Sequence, residues 1–272
     1  MESNTSKIQK VCKQILKEFN RICEKYDLTY YLIDGSLLGA IRHNGFIPWD
    51  DDMDIAMPRE DYEKFCEIVN KELPDNMYWV SYEESLKGNS LSEIAQLYCK
   101  DLTLKFDYFS KSVTTNVWMD VMIIYGMPSN KFKRWLHYKH YYLVKSLARM
   151  GRIQNVGGKK YNFIERTGIF LAQHVNLSTV FDTEKMLLKS VSILKKYPYN
   201  ASKYLIVVPS EYGKNEIVPK DYYYPSCKHA FEDLTCNVPN KSELILTQLY
   251  GDYLKYPPES ERKSKHKVEI MN

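Results

Sequence analysis

Four carboxylates, Asp50, Asp51, Asp52 and Asp54, crowd into five consecutive positions of this chain, with apolar residues on either side. Like charges this close repel, so a fold that orders them must supply a compensating cation or leave them in water. Pro48-Trp49 before the run and Ile55-Ala56-Met57 after it argue against a merely solvated loop. The segment DMDIAM, residues 52–57, alternates polar with apolar as a half-buried strand does. Residues two apart on a strand share a face, so Asp52 and Asp54 are expected to project together while Met53 and Ile55 enter the core. Two carboxylates on one face suit Mg²⁺, which takes one or two from a protein and fills its other positions with phosphate oxygens and water.

Around this strand the pattern alternates. Residues 7–26 carry Ile8, Val11, Cys12, Ile15, Leu16, Phe19 and Ile22 at helical spacing. A buried strand is expected at 29–34, a short helix at 36–43 after Gly35, and a loop at 44–48 marked by Asn-Gly and proline. Pro58 stops the acidic strand; a helix over 59–73 and strands at 77–82, 95–106 and 117–125 follow. Beyond Pro128 the texture changes to helices at 131–150, 161–175, 180–197 and 240–250, with a short strand at 203–208 and a Pro- and Tyr-rich loop at 211–227. Residues 257–268 read as a charged, frayed tail. The class is α+β, a mixed sheet with helices over 1–128 followed by a mainly helical region over 129–272 that can share its core.

Two further features sit near the acidic run. Gly35-Ser36 marks a strand-to-helix turn, where free backbone N–H groups hold a phosphate and glycine lets it approach. Such turns are also ordinary helix caps; the position just before the Asp52–Asp54 strand is what gives this one weight. Asp120 is the one charged residue in the apolar run from Val117 to Ile124. Burying it unpaired is costly. A metal shared with Asp52 and Asp54 would pair it; the alternative is a strand-end Asp that caps a turn or meets an arginine.

Gly-Ser, a helix, Asp-x-Asp on a strand and one Asp on a later strand together resemble the polymerase-beta-like nucleotidyltransferase fold. The longer string DGSLLGAIRHNGFIPWDDDMDIAMPREDYEKF resembles the signature of the LicD family, phosphocholine transferases related to fukutin and fukutin-related protein. FEDLTCNVPNKSELILTQLYGDYLKYPP resembles that family's closing segment, so the likeness brackets most of the chain. The resemblance implies transfer of phosphocholine, or a similar phospho-alcohol, from a CDP-linked donor such as CDP-choline to a hydroxyl of a cell-surface glycan or its lipid-linked precursor. It implies Mg²⁺, with Mn²⁺ as an alternative, on Asp52, Asp54 and Asp120, and Asp50 as a further candidate. Asp120 would bind a second metal or take the acceptor's proton; Gly35, Ser36 and Arg42 would bind the donor phosphates. Nothing in the spacing identifies choline; a ribitol, glycerol or sugar phosphate needs the same chemistry. Two rival readings are a nucleotidyltransferase that leaves a nucleoside monophosphate on its acceptor, and a catalytically inactive binding protein on the same fold.

Composition narrows the partners. With 38 basic and 34 acidic residues the net charge is +4, too mild to indicate nucleic acid, and compatible with an anionic small substrate or membrane surface. The basic residues of 262–267 suit either a peripheral membrane contact or a solvated tail; Arg149, Arg152 and Lys159 around Gly157-Gly158 suit anion steering or solvation. Among 23 tyrosines, Tyr222-Tyr223-Tyr224 and Tyr108-Phe109 are candidates to box a quaternary ammonium, with packing as the default. The six cysteines form no C-x-x-C pair and read as reduced thiols. No signal-peptide pattern or run of ~20 apolar residues occurs, so the expected place is the cytoplasm, with the inner face of the membrane as an option.

Overall fold

The computed structural model describes residues 3–89, 92–108, 111–150, 182–209, 212–264 and 268–271. Helix α1 (Asn4–Lys25) buries Ile8, Val11, Cys12, Ile15, Leu16, Phe19, Ile22 and Cys23, the stripe that its periodicity predicts. Then come β1 (Tyr31–Leu32), α2 (Asp34–His43), β2 (Asp54–Pro58), α3 (Arg59–Glu72), β3 (Met77–Val80) and the single turn α4 (Tyr82–Glu84). Strands β4 (Ala95–Tyr108) and β5 (Lys111–Met127) form a long antiparallel pair. Helices α5 (Lys131–Met150) and α6 (Thr183–Leu194), strands β6 (Tyr204–Val208), β7 (Val218–Pro219), β8 (Cys227–Phe231) and β9 (Leu234–Val238), helix α7 (Ser242–Tyr250) and strand β10 (Val268–Ile270) follow.

The main sheet runs β1-β2-β5-β4-β10, with β3 also on β4 and β6-β7 extending from β5. It is mixed: β2 lies parallel to β5, while β1, β4 and β6 pair antiparallel with their neighbours. Strand β5 is the axis. Its Asp120–Ile124 stretch meets β2 on one edge, and on the other β6 takes over at Ile123 where β4 ends opposite Val121. Val117, Met119, Val121 and Ile123 of β5 are all buried; on the other face Trp118 and Asp120 are only partly so, while Met122 and Ile124 are buried.

Several expectations need amendment. The strand expected at 29–34 shrinks to two residues because Asp34 already begins α2, in a left-handed conformation with φ 47°. Strand β2 starts at Asp54, so Asp52 lies in the loop before it and strand alternation does not set its direction. Met53 and Ile55 are nonetheless buried as expected. The tail does not simply fray: Val268–Ile270 pairs antiparallel with Leu104–Phe106 at the sheet edge. Among the described residues the part after residue 128 has the strand expected at 203–208, as β6, and four more besides its helices; β6, β7 and β10 join the same sheet. The expected helix over 161–175, Gly157-Gly158, Arg152, Lys159, Phe109 and the side chains of Tyr108 and Arg149 lie outside the described residues.

The hairpin β8–β9 had no expectation attached to it, and it matters for the site. Its turn is Glu232-Asp233, with Glu232 at φ 55°. The Glu232 N–H donates to Asn44 O at 2.7 Å, and Phe231 packs edge-on against Phe46 at 4.9 Å. The hairpin thus clamps the loop that leaves α2 toward the acidic run. From the inside, α2 closes on the same loop through Gly39, where a Cβ would collide with Gly45 O and approach Ile47 N to 3.3 Å. The cysteines are free thiols, and among the described residues no helix is long and apolar enough to cross a membrane.

Gly39→Ala should therefore lower stability by about 1–3 kcal/mol, because backbone atoms rather than a flexible side chain must move. Urea unfolding measures it; a loss below about 0.5 kcal/mol, the range of an ordinary surface substitution, would show that the loop is not packed as described.

Candidate active site

The centre of the site is a register. In the parallel pair β2–β5, Asp54 stands opposite Asp120. Neighbouring strands lie about 4.8 Å apart, so in-register residues point to one face. Asp120 N–H donates to Met53 O at 2.9 Å and Ile33 N–H to Asp54 O at 3.3 Å, which ties the start of β2 to both neighbours. Ser36, buried at the first turn of α2, accepts from the Asp54 N–H at 2.9 Å, and its hydroxyl meets Met53 Sδ at 3.3 Å. That hydroxyl, expected at a phosphate, is engaged in holding Asp54.

The loop carboxylates are positioned from distant parts of the chain. Asp50 lies against Gly35: a Cβ there would come within 2.8 Å of Asp50 Oδ2, so a larger residue would push this carboxylate aside. Gln9 of α1 donates to the backbone oxygens of Asp50, at 2.7 Å, and Ile47, at 3.0 Å. Ser264, near the C-terminus, donates to Asp51 Oδ2 at 2.6 Å. Cys12 of α1 senses the resulting field. Burial pushes its thiol pKa well above the ordinary value, and the charges of Asp52, Asp51, Asp120 and Asp54 all push the same way. Carboxylates from the loop and from both strands therefore act on one point below the site.

Asp120 has a dedicated donor. Gln96, opposite it on β4 and 1% exposed, donates from Nε2 to Asp120 Oδ1 at 2.7 Å. Tyr98 O–H donates to Gln96 Oε1, which turns the amide so that its NH₂ faces the carboxylate. Arg42 sits farther along α2. It donates to Tyr253 O at 2.9 Å and to His43 Nε2 at 3.0 Å, and desolvation holds its pKa below the ordinary range.

A family model described as LicD/FKTN/FKRP, nucleotidyltransferase domain, matches residues 27–148, the stretch that holds α2, β2, β4 and β5. The lipopolysaccharide cholinephosphotransferase LicD of Haemophilus influenzae is 31% identical over 261 residues, 95% of this chain and 94% of that protein. The chain belongs to the LicD family. A Rickettsia prowazekii protein is 28% identical over 144 residues, 53% of this chain and 48% of its own length. The human ribitol 5-phosphate transferase FKRP is 43% identical over 54 residues, 18% of this chain and 11% of that protein.

In this LicD-family chain the sequence-expected residues are thus brought together unequally. Asp54 and Asp120 are direct neighbours; Asp50, Asp51 and Asp52 lie on the adjoining loop; Gly35 and Ser36 touch that assembly; Arg42 bonds to His43 and Tyr253 rather than to the carboxylates. Among the described residues no three His, Cys, Asp or Glu side chains form a ready metal-binding set. The in-register pair still offers the hard oxygen donors that Mg²⁺ takes from proteins, its other positions going to water and phosphate. Tyr222, Tyr223 and Tyr224 do not converge on a box: Tyr223 is buried against Tyr31, Tyr224 is exposed, and lysines already lie over Tyr222 and Tyr224.

Gln96 and Tyr98 escaped the sequence reading, although Gln96 carries the same signal as Asp120, a polar side chain in an apolar strand. Gln96→Leu keeps the volume and removes a donor from Asp120, which should cost about 1–3 kcal/mol. Tyr98→Phe should cost less, since Asp120 keeps its amide. Equal stability of Gln96→Leu and the parent in urea unfolding would show that this bond is not formed.

Proposed function

We propose that this chain is a Mg²⁺-dependent transferase, with Mn²⁺ as an alternative, that moves phosphocholine or a similar phospho-alcohol from a CDP-linked donor to a hydroxyl of a cell-surface glycan or its lipid-linked precursor. The likeness to the Haemophilus influenzae lipopolysaccharide cholinephosphotransferase along nearly the whole of both chains carries this reading. The Asp54–Asp120 register supports it chemically. The core is read as the polymerase-beta-like nucleotidyltransferase type over 1–128, with 129–272 completing the donor and acceptor sites. The working place is read as the cytoplasm, with the inner face of the membrane, where lipid-linked acceptors would be reached, as an option.

Asp54 and Asp120, with Asp52 and Asp50 from the loop, would hold the metal, which supplies charge neutralisation for the donor diphosphate. The first-turn N–H groups of α2 at Gly35 suit a phosphate oxygen. Ser36 keeps Asp54 in register with Asp120. Asp120, oriented by Gln96, would bind a second metal or take the proton of the acceptor hydroxyl as it attacks phosphorus, and CMP leaves.

Incubation with a panel of CDP-alcohols and a glycan acceptor, followed by mass spectrometry, tests the reading. CDP-choline should yield CMP and an acceptor heavier by phosphocholine. A cytidylyl adduct would identify a nucleotidyltransferase instead, and no turnover with any donor would favour a binding protein. The short likeness to a ribitol 5-phosphate transferase makes CDP-ribitol the natural comparison donor.

Asp120→Asn should lower kcat by about 10²–10⁴-fold; an unchanged donor KM assigns Asp120 the proton, and a donor KM that rises in step assigns it the metal. Asp54→Asn should abolish turnover and Mg²⁺ binding together, since an amide keeps the shape and removes the charge. Near-parental activity of Asp54→Asn would overturn the metal assignment.

A further inference from the structure

Beside the acidic loop, His43, Trp49 and Tyr256 form one aromatic cluster. Ring centres are 5.5 Å apart for His43–Tyr256, 6.2 Å for His43–Trp49 and 6.2 Å for Trp49–Tyr256. Two guanidinium groups lie over it. Arg42 Cζ is 4.8 Å from the Tyr256 ring centre; Arg262 Cζ is 5.4 Å from the same ring and 5.7 Å from that of Trp49. Their hydrogen bonds go to neutral acceptors: Tyr253 O and His43 Nε2 for Arg42, Pro257 O for Arg262. Among the described residues neither forms an ion pair with a carboxylate.

Two positive charges over one tyrosine repel each other. The ring faces offset part of that cost; an anion would offset the rest. The same charges make the cluster unsuitable for a quaternary ammonium, although its rings would otherwise suit one. Its position is telling. Trp49 directly precedes Asp50, and Ser264, two residues beyond Arg262, is bonded to Asp51. Trp49 is partly exposed and Tyr256 is 44% exposed, so both keep ring surface open to a ligand. A ligand with a flat ring and adjoining phosphates matches the aromatic surface, the guanidinium pair and the neighbouring acidic loop at once, because arginine both stacks and binds phosphate through paired N–H groups.

We propose that Arg42, His43, Trp49, Tyr256 and Arg262 form the subsite for the nucleotide half of the donor, with the base on the aromatic surface and the diphosphate between the guanidinium groups and the acidic loop. The identity of that nucleotide as CDP rests on the function proposed above; binding itself needs no transfer. The segment 256–264 then belongs to the donor site, and the head group lies away from this cluster.

Calorimetric titration of the full chain with CDP and with cytidine, in EDTA so that no divalent metal contributes, tests it. Arg262→Gln and Arg42→Gln should each weaken CDP binding by about 10–100-fold, the scale of a charge-assisted hydrogen bond, and cytidine binding much less. Tyr256→Leu should weaken both ligands. Arg262→Lys should fall between parent and Arg262→Gln. Arg262 makes one side-chain hydrogen bond against two for Arg42, so it decides the matter if Arg42→Gln does not fold. CDP affinity within about twofold of the parent in an Arg262→Gln protein with an unchanged melting temperature would overturn the inference. The two readings fail separately. Loss of CDP binding in Arg262→Gln, with no turnover by the parent, leaves the subsite and removes the transferase. Turnover by Arg262→Gln with an unchanged donor KM does the reverse.

Discussion

The parallel pairing of β2 with β5 is the constraint on which the rest of the site depends. It places Asp54 opposite Asp120 and so brings two like charges onto one face of the sheet. That arrangement is unfavourable alone, and the surrounding structure is arranged to hold it. Ser36 receives the Asp54 N–H, Gln96 donates to the Asp120 carboxylate, and Met53 O accepts the Asp120 N–H. A slip of one residue would turn Asp54 toward the core and Met53 and Ile55 toward the site, since strand faces alternate. The buried Met53 and Ile55 therefore protect the register as much as the hydrogen bonds do.

The acidic loop is held from both ends of the chain. Gln9 reaches it from α1 and Ser264 from the C-terminal segment, while the β8–β9 hairpin fixes its entry through Glu232 and Phe231. Strand β10 anchors that C-terminal segment to the edge of β4. A site supported in this way is not confined to the strands that bear its carboxylates. This gives a physical reason for a likeness to the Haemophilus influenzae relative that extends over 95% of this chain rather than over the acidic block alone.

Much of the local structure was legible. The stripe of α1, the helix after Gly35 and the burial of the apolar run of β5 follow from local pattern, which the sequence carries directly. The failures have identifiable causes. Alternation over 52–57 puts Asp52 on a strand face, but β2 begins at Asp54, because boundaries depend on pairing rather than composition. The β8–β9 turn uses Glu232-Asp233 with no glycine, so the usual hairpin signal is missing. Strand β10 is three residues long beside a basic stretch, too short to show against its charged surroundings.

The sequence by itself determined the chemistry available: a dense acidic run, a Gly-Ser turn just before it, and a lone carboxylate in an apolar strand. Only the tertiary structure decided which groups meet. It set Asp120 against Asp54 and Gln96, joined Ser264 to Asp51 across 213 positions, and brought Arg262 over the rings of Trp49 and Tyr256. Helical and strand periods are local properties that a few neighbouring residues express. Strand order, register and contacts between remote segments are set by how the whole chain packs, so no local pattern records them.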